Sequence, residues 1–256
     1  MKLFILLLTT FYSFSVCAKH SRHKHREELT DNIFPRTDPQ IIGMIYHMLE
    51  VIDLLFTKHN IPYWIDGGTA LGAIRHQGCI PWDDDADLVF HIKDRDRILA
   101  LKDAFAQFTL YLEETDIIRL YASKETKHPY VDIAGYKLCP DNTYRFDLQS
   151  ARDTFKRFYW LPREIDTLVR VQFGPLMLSA PNDMMRYIFT GYGADCLTHA
   201  TFQTPHGGSG TNLKISNKVR IVDFSSAVYE DFYVPLAKET IAKKCNSSDT
   251  LLRRGI

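Results

Sequence analysis

The stretch that most limits what this chain can fold into runs from Trp64 to Phe90, WIDGGTALGAIRHQGCIPWDDDADLVF. An apolar run, Tyr63-Trp64-Ile65, reads as a strand. Gly67-Gly68-Thr69 breaks it, and Ala70, Leu71, Ala73 and Ile74 favour a short helix. Glycines between strand and helix let the backbone approach a ligand closely. The first N–H groups of the helix then suit an anion. Gly78 and Pro81 punctuate the return, and Asp83-Asp84-Asp85-Ala86-Asp87 leads into a second strand, Leu88-Val89-Phe90. Alternate residues of a strand share a face. Asp85 and Asp87 are therefore expected to project together, roughly 7 Å apart at the backbone, with Asp83 on their side and Asp84 on the other. Carboxylates that close repel each other unless a cation lies between them. A phosphate cradle followed by a paired-Asp clamp predicts a site for a nucleotide diphosphate on Mg²⁺ or Mn²⁺. Arg75 and His76 add positive charge there, and Arg75 reads either as a phosphate contact or as an ion pair with the acidic cluster.

At these residues the chain resembles a known family. GGTALGAIRHQG, with IPWDDDAD after it, is similar to the signature of LicD-type phosphotransferases, which include fukutin and fukutin-related protein. Val131-Asp132-Ile133 and the run FGPLMLSAPNDMMRYIFTGYGAD from Phe173 to Asp195 resemble later parts of the same family. The resemblance spans roughly residues 40–200. It implies an α+β fold, a nucleotidyltransferase-like mixed sheet flanked by helices. It also implies transfer of a phosphoalcohol, such as phosphocholine or ribitol phosphate, from a CDP-linked donor to a glycan.

The rest of the chain is read around that stretch. Leu3 to Val16 is an apolar core between Met1-Lys2 and Cys17-Ala18, the pattern of a signal peptide over 1–18. It predicts an exported chain with no stable membrane span, the alternative being an uncleaved anchor. Residues 19–38 form a polar linker whose His20, His23 and His25 lie in a run too short to argue for a metal tract. The catalytic domain is assigned to 39–200 and a partly flexible C-terminal extension to 201–256. Lysines and arginines number 31, as do aspartates and glutamates, so nothing global argues for nucleic acid.

Helices are expected from Ile41 to His59 and from Asp94 to Phe108, and a hairpin over 110–121. A strand is expected from Phe173 to Ala180, then a helix over 182–191 capped by Asn182. Residues 139–165 read as an irregular surface loop, with sugar or phosphate contacts at Trp160 and Arg163 as the alternative. Pro205 to Thr211 is Gly-rich but lacks the ending of a P-loop. Asn246-Ser247-Ser248 is a glycosylation acceptor in a secretory setting. Asp132, alone in an apolar strand, is a metal ligand or an edge hydrogen bonder by its residues. The resemblance makes it a third site carboxylate or a general base.

The expected chemistry places a cation on Asp85, Asp87 and Asp132 and donor phosphates at Gly67, Gly68 and Thr69. An acceptor hydroxyl attacks phosphorus, CMP leaves, and Asp132 or Asp83 takes the proton. Two other readings stay open: a sugar-nucleotide glycosyltransferase, for which D-x-D is also a metal motif, and a secreted binding protein that kept the fold. Asp83-x-Asp85-x-Asp87 opens like a calcium EF-hand loop, but Leu88 replaces its glycine and Asp94 its final glutamate.

Overall fold

The computed structural model describes residues 36–200, 219–221, 224, 225, 227–240 and 244. The expected signal segment, most of the linker, Pro205–Thr211, the sequon at Asn246, Cys17 and Cys245 lie outside the described residues. Asp38 opens helix α1 (Pro39–Lys58), its Oδ1 accepting the Gln40 N–H at 2.9 Å, with Pro39 in the first turn. Ile42, Ile45, Leu49, Ile52 and Phe56 repeat at helical spacing and are fully buried. This helix is long and apolar enough to cross a membrane, but more than half of its apolar window is buried inside the fold. It is the core helix.

Strand β1 (Tyr63–Ile65) follows, then α2 (Gly67–Arg75) and β2 (Ala86–His91). The expected Asp94–Phe108 helix is broken into a 3-10 turn at Ile92–Asp94, α3 (Arg95–Leu99) and α4 (Lys102–Ala106). Next come β3 (Tyr111–Glu113), β4 (Ile118–Tyr121) and β5 (Tyr130–Leu138). The stretch read as irregular contains β6 (Tyr144–Phe146), α5 (Gln149–Thr154) and α6 (Pro162–Ile165).

Six strands form one mixed sheet in the order β1-β2-β5-β4-β3, with β6 also paired to β5. Only β2 and β5 run parallel. Helix α1 packs on β5, and α2 packs on β2, so the architecture is mixed α+β with helices against the sheet.

Two expectations change here. Phe173–Ala180 is not one strand but the end of a hairpin, β7 (Val169–Phe173) and β8 (Leu176–Ala180). Gly174, at φ 56, takes the left-handed turn that an L side chain resists. The following helix, α7, spans Met185–Tyr192, and Asp183 rather than Asn182 bonds its first turn, through Met185 N–H at 3.0 Å. The Asn182 amide instead donates to the Arg163 carbonyl. A short pair, β9 (His199–Ala200) with β10 (Val219–Arg220), ends the described topology.

Candidate active site

Sheet register builds the site. Asp87 in β2 stands beside Asp132 in β5, and Asp132 stands opposite Arg119 in β4. On the other flank, Asp66 continues β1 and donates its N–H to the Asp87 carbonyl at 3.1 Å. Four charged residues thus lie in one row across four strands. Arg119 Nε donates to Asp132 Oδ1 at 2.6 Å, which engages one end of the row.

The middle of the row is crowded with like charge. Asp87 is held well above the ordinary carboxylate range, first by desolvation, then by Asp85, Asp132, Asp66 and Asp83. Ligand oxygens of Asp83, Asp84 and Asp85 all lie within 4.8 Å of one another. The structure therefore brings Asp83, Asp85, Asp87 and Asp132 together. It also corrects the side assigned to Asp84. The strand begins only at Ala86, so strand alternation does not govern residues 83–85. Asp84 is buried and lines the same cavity, and its Oδ2 lies 2.9 Å from His128 Nε2.

The amides at the start of α2 are engaged within the chain. Gly68 N–H donates to Asp87 Oδ2 at 3.1 Å and Gly67 N–H to the Tyr187 hydroxyl at 3.2 Å. The acceptor at this helix N-terminus is the chain's own Asp87 carboxyl group. The glycines are needed for that approach. Gly67 has φ 47, and a Cβ there would fall 2.5 Å from Asp87 Oδ2; one on Gly68 would fall 2.9 Å from Asp83 Oδ2. Thr69 is buried, its hydroxyl accepting the Asp87 N–H at 2.8 Å, which ties helix to strand.

Asp66 also lines the cavity, and sequence reading passed over it. It is buried, and its oxygens accept from Tyr136 Oη at 2.9 Å and Trp160 Nε1 at 2.7 Å. Desolvation raises its pKa, and hydrogen bonds from Trp160, Tyr187 and Tyr136 oppose the rise. Trp160 and Tyr187 stack at 3.8 Å and 7° behind it. Trp160 is thereby a buried partner of Asp66 rather than a sugar contact, and Arg163 is exposed away from the cavity lining.

Arg75 lines the cavity, whereas His76 does not and is buried behind it. Burial pulls the Arg75 guanidinium down to about 10, while Cys196, Tyr192 and Asp83 pull it back up. Cys79 is buried, and burial pushes its thiol up to about 12, an inert state that fits a structural role. Cys79 and Cys139 are free thiols.

The cavity holds about 380 Å³. Asp83, Asp84, Asp85, Asp87 and Asp132 line it with Gly67, Gly68 and Arg75. Phe146, Phe155, Phe158, Tyr187 and Tyr192 supply aromatic wall. Carboxylates and one guanidinium facing a partly apolar chamber can bind a hard cation and a phosphorylated ligand together.

Residues 60–183 match the family described as LicD/FKTN/FKRP, nucleotidyltransferase domain. The chain is 30% identical over 141 residues to an uncharacterized protein of Rickettsia prowazekii, covering 54% of this chain and 50% of that one. It is 39% identical over 85 residues to the lipopolysaccharide cholinephosphotransferase LicD of Haemophilus influenzae, covering 32% and 31%. To the ribitol 5-phosphate transferase FKRP of Mus musculus it is 28% identical over 163 residues, covering 57% and 30%. The matched stretches thus span half or less of these relatives' own lengths.

Proposed function

We propose that the chain, whose residues 60–183 match the LicD/FKTN/FKRP nucleotidyltransferase domain, is a metal-dependent phosphotransferase. It moves a phosphoalcohol from a CDP-linked donor to a glycan acceptor. The observation that carries this reading is the gathering of Asp83, Asp85, Asp87 and Asp132 on one cavity wall, with Asp87 pushed up by desolvation and then by its acidic neighbours.

The donor set is all carboxylate oxygen, which suits Mg²⁺ or Mn²⁺ rather than a soft metal. Asp85, Asp87 and Asp132 would hold the cation, and when bound it supplies charge neutralisation for a pyrophosphate. The remaining roles belong to the chain's own groups. Gly67 and Gly68 keep the helix start free of Cβ atoms, so Asp87 and Asp83 keep their positions against it. Arg75 takes donor phosphate oxygen. The acceptor O–H attacks phosphorus, the bond from phosphorus to the CMP oxygen breaks, and the hydroxyl proton goes to a carboxylate. We assign the proton to Asp132 or Asp83, both of which line the cavity. The aromatic wall excludes water that would otherwise hydrolyse the donor.

The test is incubation of the full chain with CDP-choline, CDP-ribitol, UDP-sugars and GDP-sugars in Mn²⁺. Acceptor-dependent CMP release from one CDP-alcohol is expected. Turnover of a nucleotide sugar alone would replace this reading with glycosyl transfer. We further propose export, on Leu3–Val16 and Ala18; a native N-terminus at Met1 would contradict it.

A further inference from the structure

The basic side of the cavity carries an arrangement that the reaction itself does not require. Arg75 closes α2 and is 8% exposed. Its Nε donates to His76 Nε2 at 2.9 Å and its Nη1 to the Cys196 carbonyl at 2.8 Å, which leaves Nη2 for a ligand. Arginine has donors only, so His76 Nε2 must present a lone pair. The other ring nitrogen, Nδ1, lies 3.0 Å from the Ser225 carbonyl oxygen, which only accepts. Nδ1 therefore carries the proton. The neutral Nδ1–H tautomer satisfies both neighbours, whereas an imidazolium would lose the Arg75 bond and set two cations side by side. Trp82 stands edge-on to the ring at 5.5 Å and Phe224 tilts against it at 6.3 Å, which fixes its plane.

Ser225 is itself anchored. Ile221 N–H donates to the Thr198 carbonyl at 2.8 Å and Ala227 N–H to the Cys79 carbonyl at 3.0 Å. Just before Ile221, β10 pairs with β9, whose His199 and Ala200 line the cavity. Val219 to Ile221 are thus tied to the cavity wall, and Ser225 and Ala227 to His76 and to the turn that follows α2.

We infer that His76 is a positioning residue. Held between Ser225 and Arg75, it transmits the docking of the C-terminal segment to the Arg75 guanidinium and fixes that group for the pyrophosphate of a nucleoside diphosphate. The inference rests on reading Arg75 as the phosphate contact.

The experiment titrates CDP into the full chain with Mn²⁺ by calorimetry, beside thermal melts and ¹⁵N NMR of the His76 ring. Arg75→Gln sets the scale and should weaken CDP binding about a hundredfold. His76→Asn keeps an N–H for Ser225 but removes the acceptor for Arg75, and should weaken binding about tenfold with little change in melting temperature. His76→Gln keeps an acceptor for Arg75 and should recover most of that loss. The wild-type ring should report Nδ1–H. Wild-type affinity in His76→Asn, beside a weakened Arg75→Gln, would overturn the positioning role and leave the phosphate reading standing. An Nε2–H ring would overturn it too, as would losses in both His76 variants that merely track melting temperature. Unchanged affinity in Arg75→Gln, or no CDP binding by the wild type, would overturn the phosphate reading and the inference with it.

Discussion

Two recessed carboxylates in this molecule live in opposite surroundings. Glu164, 2% exposed, receives Arg186 Nε at 2.5 Å, Arg186 Nη2 at 2.7 Å and the Leu161 N–H at 2.8 Å. Asp87 accepts the Gly68 N–H at its carboxyl and donates its backbone N–H to the Thr69 hydroxyl, but faces four other carboxyl groups. The first group is neutralised where it stands and ties α6 to α7. The second is crowded by burial and like charge, which favour its protonated form, and a cation among these oxygens would relieve that crowding. The contrast teaches that burial alone does not mark function. An acid matched within the fold is structural, and an acid crowded by its own kind is poised for a cation.

The comparison is broken most sharply by activity. Asp87→Asn and Asp85→Asn should each cut transfer by about a thousandfold or more, since each keeps shape and removes charge at the point of phosphate neutralisation. CMP release kinetics check this, and near-normal turnover would place the cation elsewhere. Arg186→Ala should do the reverse, costing about 3 kcal/mol of stability because it strands Glu164 without its cation. Chemical denaturation measures the loss, and activity of the remaining folded fraction should persist.

Asp84→Asn is a smaller effect. Its partner His128 stays in place, and transfer should fall about tenfold, the scale of one charge-assisted hydrogen bond. A loss equal to that of Asp87→Asn would make Asp84 a principal cation ligand. The smallest effect is on stability against pH. The folded pKa of Asp87 lies above its unfolded value. Native protein therefore binds more protons in between, and stability falls as pH rises through that window. In metal-free buffer Asp87→Asn should outlast the wild type at neutral pH, and the advantage should fade on acidification toward the ordinary carboxylate range. Paired melts across pH test the sign.

Much of the site was legible because it is local. Strand, Gly-Gly, short helix and acidic return follow one another within Tyr63–His91, and β1 matches its expected residues. Asp132 was legible as an acid inside an apolar strand. Asp66 was not, since an aspartate after a strand reads as a turn residue. What defines it comes from Tyr136 and Trp160, 70 and 94 residues along the chain. The row from Asp66 to Arg119 is likewise a product of register, which periodicity does not encode between strands. Asp84 was misread because alternation was extended three residues ahead of the strand. The amides of Gly67 and Gly68 pointed to an anion, but the chain's own carboxylate and a tyrosine hydroxyl meet them.

The most direct test is Mn²⁺ titration of the wild type and Asp87→Asn, read by calorimetry and thermal melts at neutral pH. The crowded-carboxylate account predicts that the wild type takes up Mn²⁺ and its melting temperature rises with metal. Asp87→Asn should start higher in metal-free buffer and bind Mn²⁺ far more weakly. Equal uptake by both proteins, or none by the wild type, would contradict it.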